Sequence, residues 1–239
     1  MPPRALRPIG IALADKPAGP SSFALVAELR RRTKARTGHA GTLDPFATGL
    51  LVLLSGAATR LAPCFVGLDK RYVTEVDLGA TTSTGDPSGE VLEEHAPPAP
   101  DDLEAALAGL RGVVELRVPA ASAVHVDGER AYRLHRRGVT VEMPLRRSQV
   151  HALDLAAYDG RVARLELHVG SGTYVRSVAE ALGGHCVTLR RTAVGPFSVE
   201  EADPERLLPA RDALERLPPE ALARVPEQIR AGVLDLEAS

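Results

Sequence analysis

The stretch Gly38-His39-Ala40-Gly41-Thr42-Leu43-Asp44-Pro45-Phe46-Ala47-Thr48-Gly49 decides the reading of this chain. Three of its twelve residues are glycine, and Leu50 to Leu54 follows as an apolar run. Glycine supplies backbone freedom and no side chain, so such a loop packs no core of its own. It can hold one side chain at a fixed, open place, and Asp44 is the candidate. Pro45 fixes its own φ and biases Asp44 towards an extended conformation. Taken alone, Asp-Pro in a Gly/Thr loop is a turn with an Asx hydrogen bond. The long ordered string around it is what asks for a further reading.

Upstream of the loop, Ile9 to Leu13 reads as a short strand. It runs into Asp15-Lys16-Pro17-Ala18-Gly19-Pro20-Ser21-Ser22, a turn that leads to a helix with Ser21 or Ser22 as its N-cap. That helix carries Phe23, Val26 and Leu29 and ends in Arg30-Arg31-Arg32. Cations also suit a helix C-terminus, so the cluster has a structural explanation.

Downstream, Leu50 to Leu54 has strand length and Ala57 to Phe65 reads as a helix. Lys70 to Gly79 alternates, which places Tyr72, Thr74, Val76 and Leu78 on one face of a strand. Thr82 to Gly89 is a polar loop. Asp101 to Leu110 has helical spacing with a cap expected at Asp101 or Asp102, and Val113 to Val118 is a strand. Pro119 to Tyr132 leads into a basic helix that ends at Gly138. Asp159-Gly160 between two alternating segments predicts a hairpin of Gln149–Tyr158 with Arg161–Val169. Gly170-Ser171-Gly172 breaks the strand, Thr173 to Leu182 reads as a helix, and Leu189 to Thr192 as a strand. From about Pro204 onward the pattern is helical and charged, with Ile229 to Leu236 as a possible strand.

The chain has 239 residues, enough for one large domain or one domain with an appendage. A globular chain of this size buries about 70% of its unfolded surface and needs no disulfides. Its two cysteines, Cys64 and Cys186, fit a reducing compartment and offer no metal-ligand spacing. No apolar run has the length of a membrane span, and the basic N-terminus, Met1 to Arg7, leads into no signal-type core. A cytoplasmic location is expected.

The net charge of −2 argues against a polycation. The basic residues are nevertheless grouped: Arg30 to Arg36, then Arg130, Arg133, Arg136 and Arg137, then Arg146-Arg147 and Arg190-Arg191. Segregated charge can build a basic face on a neutral protein, and solvated helix faces give the same pattern.

The string G-H-A-G-T-L-D-P-x-A-T-G-L-L resembles the catalytic loop of the TruB family of tRNA pseudouridine synthases. D-K-P-x-G-x-S-S, K-R-Y with T-x-T-x-D-x-x-G, and S-G-T-Y-V-R-S resemble further family motifs in family order, so the likeness covers about residues 9 to 200. It implies an α+β pseudouridine synthase fold, with a central mixed, mostly antiparallel sheet flanked by helices and a thumb-like insertion at about 118–148. Residues 1–203 would be the catalytic domain. Residues 204–239 would be a helical segment, a remnant rather than a full PUA domain. Three departures stand out. Ser83 occupies a position where the family often has Asp, Ala121 one where it usually has an aromatic ring, and the link from Gly183 to Leu189 is short.

The resemblance makes Asp44 the nucleophile, at C6 of the base or C1′ of the sugar; sequence leaves both points of attack open. Arg176 would pair with Asp44 and keep it ionised. Tyr72 would stack on the flipped uracil and take part in proton removal from C5. His39 would hold the opened T loop, Tyr174 and Leu189 would line the pocket, and Lys16 with Pro17 would support the catalytic loop. Arg130, Arg133, Arg136 and Arg137 would contact the RNA backbone. Taken without the motif, Tyr174 reads better as a core aromatic with its hydroxyl satisfied. The chain has no phosphate-binding or dinucleotide fingerprint, and no cofactor or metal is expected. The expected partner is the T stem-loop of tRNA, with no guide RNA and no membrane, and the expected state is a monomer. The competing reading is a tRNA-folding chaperone with secondary catalysis, which would not require Asp44, Tyr72 and Arg176 together.

Overall fold

The computed structural model describes residues 8–126, 128–139 and 141–238. The basic N-terminal Met1 to Arg7, and Asp127 and Thr140 of the expected insertion, lie outside the described residues. In chain order the elements begin with β1 (Gly10–Lys16), α1 (Ser22–Thr33), β2 (Thr37–His39), β3 (Thr48–Ser55) and, after a 3-10 turn, α2 (Ala62–Val66). They continue with β4 (Lys70–Asp77), β5 (Ala80–Thr82), β6 (Val91–Glu94), α3 (Pro100–Gly109) and β7 (Gly112–Arg117). The expected insertion holds β8 (His125–Val126), β9 (Glu129–Arg130) and α4 (Ala131–Arg136). Then come β10 (Leu145–Tyr158), β11 (Val162–Val169), α5 (Val175–Ala181), β12 (His185–Val194), β13 (Phe197–Ser198) and β14 (Asp203–Leu208). Three helices close the chain: α6 (Ala210–Glu215), α7 (Pro219–Leu222) and α8 (Glu227–Ala238).

The chain divides into two compact units, residues 1–70 with 190–239, and residues 71–189. In the first, β1 pairs antiparallel with β3 from Gly10↔Ser55 to Lys16↔Gly49, and β14 and β2 also pair antiparallel with β1 and β3. Arg190 and Arg191 of β12 pair in parallel with Thr48 and Gly49. The apolar run Leu50 to Leu54 is explained by this position. Leu50, Val52 and Leu54 face one core, with Ile11, Phe65, Phe197 and Val233. Leu51 and Leu53 face another, with Ala12, Ala14, Val26 and Leu29 of α1. A strand covered on both faces needs no polar alternation.

In the second unit β10 pairs antiparallel with β11 and with β7. Tyr72, Thr74 and Val76 are the buried face of β4, as its alternation requires. The insertion has a small core of its own, Val118, Ala131 and Met143, with Val124, Val126, Val141 and Tyr174 packed against it.

Three expectations are corrected. Asp203–Leu208 is a strand rather than the start of a helical tail, because β1 offers an edge that it completes. Its Leu207 and Leu208 then serve the two opposite cores. Ile229 to Leu236 lies within α8, where Val233 is fully buried and the Glu237 carboxylate accepts from the Ala210 and Arg211 amides at the start of α6. A short apolar run does not distinguish strand from helix, and Ile229, Val233 and Leu236 follow the helical period. The cap of α3 is Ala99, with Pro100 opening the helix and Asp101 and Asp102 in its first turn. Proline at that place loses no hydrogen bond, since the first amides of a helix are unpaired in any case.

Candidate active site

The loop that carries Asp44 is held by its backbone: Ser22, Gly19 and Lys16 of the D-K-P-x-G-x-S-S string bond to it, and Ser21 sets the start of α1. Ser21 caps α1 by accepting from the Ala24 amide, which fixes where the helix begins. Ser22, the first helical residue, then grips Leu43 from both sides: its hydroxyl donates to the Leu43 carbonyl at 3.0 Å and accepts from the Leu43 amide at 2.9 Å. The Gly19 amide donates to the Pro45 carbonyl at 2.8 Å. Lys16 at the end of β1 is completely buried, and its ammonium donates to the carbonyls of Pro17, Pro45 and Ala47. Three carbonyls satisfy the three donors of the ammonium. Burial pulls the Lys16 pKa below its ordinary value, and attraction to the Asp44 charge opposes that pull.

Arg191 grips the flanks of the same loop. Its side chain is 1% exposed. Nε donates to the Leu50 carbonyl at 2.7 Å, and the two terminal nitrogens to those of Gly41 at 3.1 Å and Thr42 at 3.5 Å. The Arg190-Arg191 pair is therefore no free basic cluster: on β12 one side chain points in and the other out, where Arg190 makes a two-pronged contact with Asp15 at 2.7 and 3.0 Å. Gly49 closes the arrangement. Its φ is +103°, and a Cβ there would lie 2.2 Å from the Arg191 carbonyl oxygen. Lys70, also buried, donates to the Val66 and Leu68 carbonyls, and burial, reinforced by the Arg191 charge, pulls its pKa down to about 8 against the attraction of Asp69. Asp44 itself is half-buried.

His39 lies at the end of β2, opposite Leu53 of β3. Its Nδ1 is buried without a hydrogen-bond partner among the described residues. Burial, together with the charge of Arg191, lowers its pKa, so the ring is neutral at pH 7.

The other expected site residues belong to the second unit. Tyr72 is 9% exposed on the buried face of β4, and Leu189 is 6% exposed near the end of that unit. Arg176, in the first turn of α5, is 3% exposed; it donates to the Thr84 carbonyl at 2.8 Å and the Ala121 carbonyl at 3.1 Å, and lies 3.7 Å from the Asp86 carboxylate. Asp86 belongs to the T-x-T-x-D string and also accepts from the Thr84 hydroxyl and from the amide and hydroxyl of Ser88. It shapes its loop and orients Arg176, a part that its motif position alone did not reveal. Tyr174 is partly buried and packs against the insertion core.

The four arginines expected to contact the RNA backbone differ from one another. Arg133 and Arg136 lie 5.9 and 5.7 Å from the Tyr132 ring centroid, Arg130 donates to the Ala123 carbonyl, and Arg137 forms a bidentate pair with Glu129 at 2.8 Å. Arg137 is thus occupied by a carboxylate.

The Asp44 loop is thus pinned at its carbonyls by Lys16, Ser22 and Arg191. Residues 30–175 match the TruB family pseudouridylate synthase model for the N-terminal domain. The chain belongs to the TruB family. A tRNA pseudouridine synthase B of Synechococcus sp. (strain WH7803) is 44% identical over 92% of this chain and 80% of that protein. The protein of the same name from Thermobifida fusca (strain YX) is 42% identical over 81% of this chain and 72% of its own length. Among solved structures, a chain of a Cbf5-Nop10-Gar1 complex superposes with a TM-score of 0.61 at 28% identity, over 79% of this chain and 50% of that one. A chain of an H/ACA RNP bound to a substrate RNA containing 2′-deoxyuridine shares the fold at a TM-score of 0.59 and 24% identity, over 92% of this chain and 57% of that one. This chain therefore spans about half the length of those structural neighbours. It is a pseudouridine synthase by family, and its mixed, mostly antiparallel sheet with flanking helices is the fold of that family.

Proposed function

We propose that the chain isomerises a uridine in the T loop of tRNA, at position 55, to pseudouridine. The observation that carries this reading is the catalytic-loop sequence around Asp44, folded as a loop whose carbonyls are held by Lys16 and Arg191. Relatives above 40% identity named for tRNA support the substrate class.

In the proposed reaction the target uridine leaves its stack and enters the pocket, at a cost of a few kcal/mol. Stacking on Tyr72 recovers part of that cost, worth about 1–3 kcal/mol per base. Asp44 attacks as a carboxylate, at C6 or C1′, and the bond between N1 and C1′ breaks. The uracil turns, C5 joins C1′, and the Asp44–carbon bond breaks to return the free carboxylate, while the C5 proton leaves for a base or solvent and N1 takes up a proton. Substrate and product are isomers, so no redox partner or phosphate donor enters the balance. Arg176 pairs with Asp44 in this reading and holds it charged in a closed pocket.

The catalytic domain would comprise residues 1–203. The insertion at 118–148 would close on RNA through Arg130, Arg133 and Arg136, with Arg137 joining them after exchanging Glu129 for a phosphate. His39 would hold the opened T loop, Tyr174 and Leu189 would line the pocket, and the chain would work as a monomer without guide RNA. The test is site mapping on a whole tRNA transcript. The reading expects one pseudouridine, at the T-loop position; modification elsewhere, or only with an added guide, would overturn it.

A further inference from the structure

α1 has an exposed stripe that the catalytic account does not use. Phe23, Ala27, Arg30, Arg31 and Lys34 follow one another at the spacing of a single helical face, away from Val26 and Leu29 in the core. At the start of the stripe Phe23 is 71% exposed, the most exposed large apolar side chain described. It meets His39 edge to face, with ring centroids 5.5 Å apart. At the other end Arg30, Arg31, Lys34 and Arg36 line a shallow open groove of about 590 Å³. Arg30 is steered towards it by a bond from Nε to the Thr37 hydroxyl at 3.3 Å. Arg31, Lys34 and Arg36 have no carboxylate partner among the described residues, whereas Arg32, on another side of the helix, pairs with Glu205 at 3.0 Å.

The helix dipole accounts for Arg30 and Arg31, in the last turn of α1, and for only part of this arrangement. A dipole attracts cations to the last turn of a helix, but Lys34 and Arg36 lie beyond it. Lys34 is also the only non-glycine residue with positive φ among those described, at +52°, where Gly or Asn usually ends a helix. An exposed aromatic ring next to a neutral imidazole has no packing role that needs it outside. Aromatic faces beside unpaired cations are what a single-stranded nucleic acid requires: stacking for bases and charge for phosphates.

We propose that the α1–β2 edge is a track for an RNA strand, on which Phe23 stacks one nucleobase beside His39 while Arg31, Lys34 and Arg36 bind the phosphates that lead away from it. This extends the proposed RNA-modifying reading of the Asp44 loop, which shares β2 and α1 as supports. The occupant is RNA rather than a protein acid patch, because an acidic surface would leave the Phe23 ring without a stacking partner.

The test uses the full chain and a fluorescent T-arm stem-loop, with binding followed by anisotropy across a salt series. Phe23→Ala is expected to weaken binding about 5- to 150-fold without changing the salt slope, and Phe23→Trp to restore it. Arg31→Gln with Lys34→Gln is expected to lower the slope of log K against log salt by about 1.4 to 1.8. Both sites are exposed, so the midpoint of thermal unfolding should stay within about 2 °C of wild type. Wild-type affinity and slope in both variants would overturn the track. So would a Phe23→Ala loss that Phe23→Trp does not repair. Pseudouridine assayed on the same RNA separates the two readings. Product formed with binding indifferent to all these substitutions removes the track and keeps the activity; no product with binding that follows the predictions keeps the track and removes the activity.

Discussion

Arg191 reaches Leu50 across the base of the Asp44 loop, its Nε donating to that carbonyl at 2.7 Å from a side chain almost wholly out of solvent. A buried guanidinium is costly unless its donors are satisfied, and here backbone carbonyls of the loop satisfy them. The charge and the loop therefore depend on each other. Lysine cannot span the three carbonyls that the fork reaches. Arg191→Lys should lower kcat on a T-arm substrate at least tenfold with KM within about threefold, and should cost about 2–4 kcal/mol of stability. Steady-state kinetics beside urea unfolding checks both, and an unchanged kcat would mean that the loop holds Asp44 without this clamp.

Gly49 meets the Arg191 backbone too closely for any side chain, and its φ of +103° is a region that L-residues avoid. Gly49→Ala should lose about 3 kcal/mol or more. Denaturant unfolding measures it, and a loss below about 1 kcal/mol would show that the parallel contact of β3 with β12 yields easily.

Lys70 gives a pH signature. Its folded pKa of about 8 lies below the ordinary 10.5, so between those values the unfolded chain holds a proton that the folded chain does not. Stability should therefore rise with pH across that window, relative to Lys70→Met, by about 1 kcal/mol per unit. Below pH 8 both states are protonated and the difference should be flat. Paired unfolding curves from pH 7 to 10.5 decide it; a flat difference throughout would place the Lys70 charge in ordinary surroundings.

The depth to which these features could be read in the sequence follows from their physics. The Asp44 loop was legible because its three glycines and Pro45 favour a loop over a packed element. The strand Leu50 to Leu54 was legible as an apolar run, though only the fold shows that its alternate residues serve two cores. Lys16 was read as a support from its motif. Arg191 was not, because two adjacent arginines look like a surface patch until a strand sends one inward. β14 and α8 were misread since their partners, β1 and the α6 start, lie far away in sequence.

Tyr72, on the buried face of β4, tests the stacking step. Tyr72→Ala should lose far more rate than affinity, and single-turnover kinetics beside binding would show it. Equal losses in both would reduce Tyr72 to a binding residue.

The most direct measurement of the central claim is release of tritium from C5 of the uridines in a labelled T-arm stem-loop, by the purified chain without added RNA or cofactor. The account predicts one equivalent released from the single T-loop target by wild type, and none by Asp44→Asn although it still binds the RNA. Release by pure Asp44→Asn, or no release by wild type from either the stem-loop or whole tRNA, would contradict it.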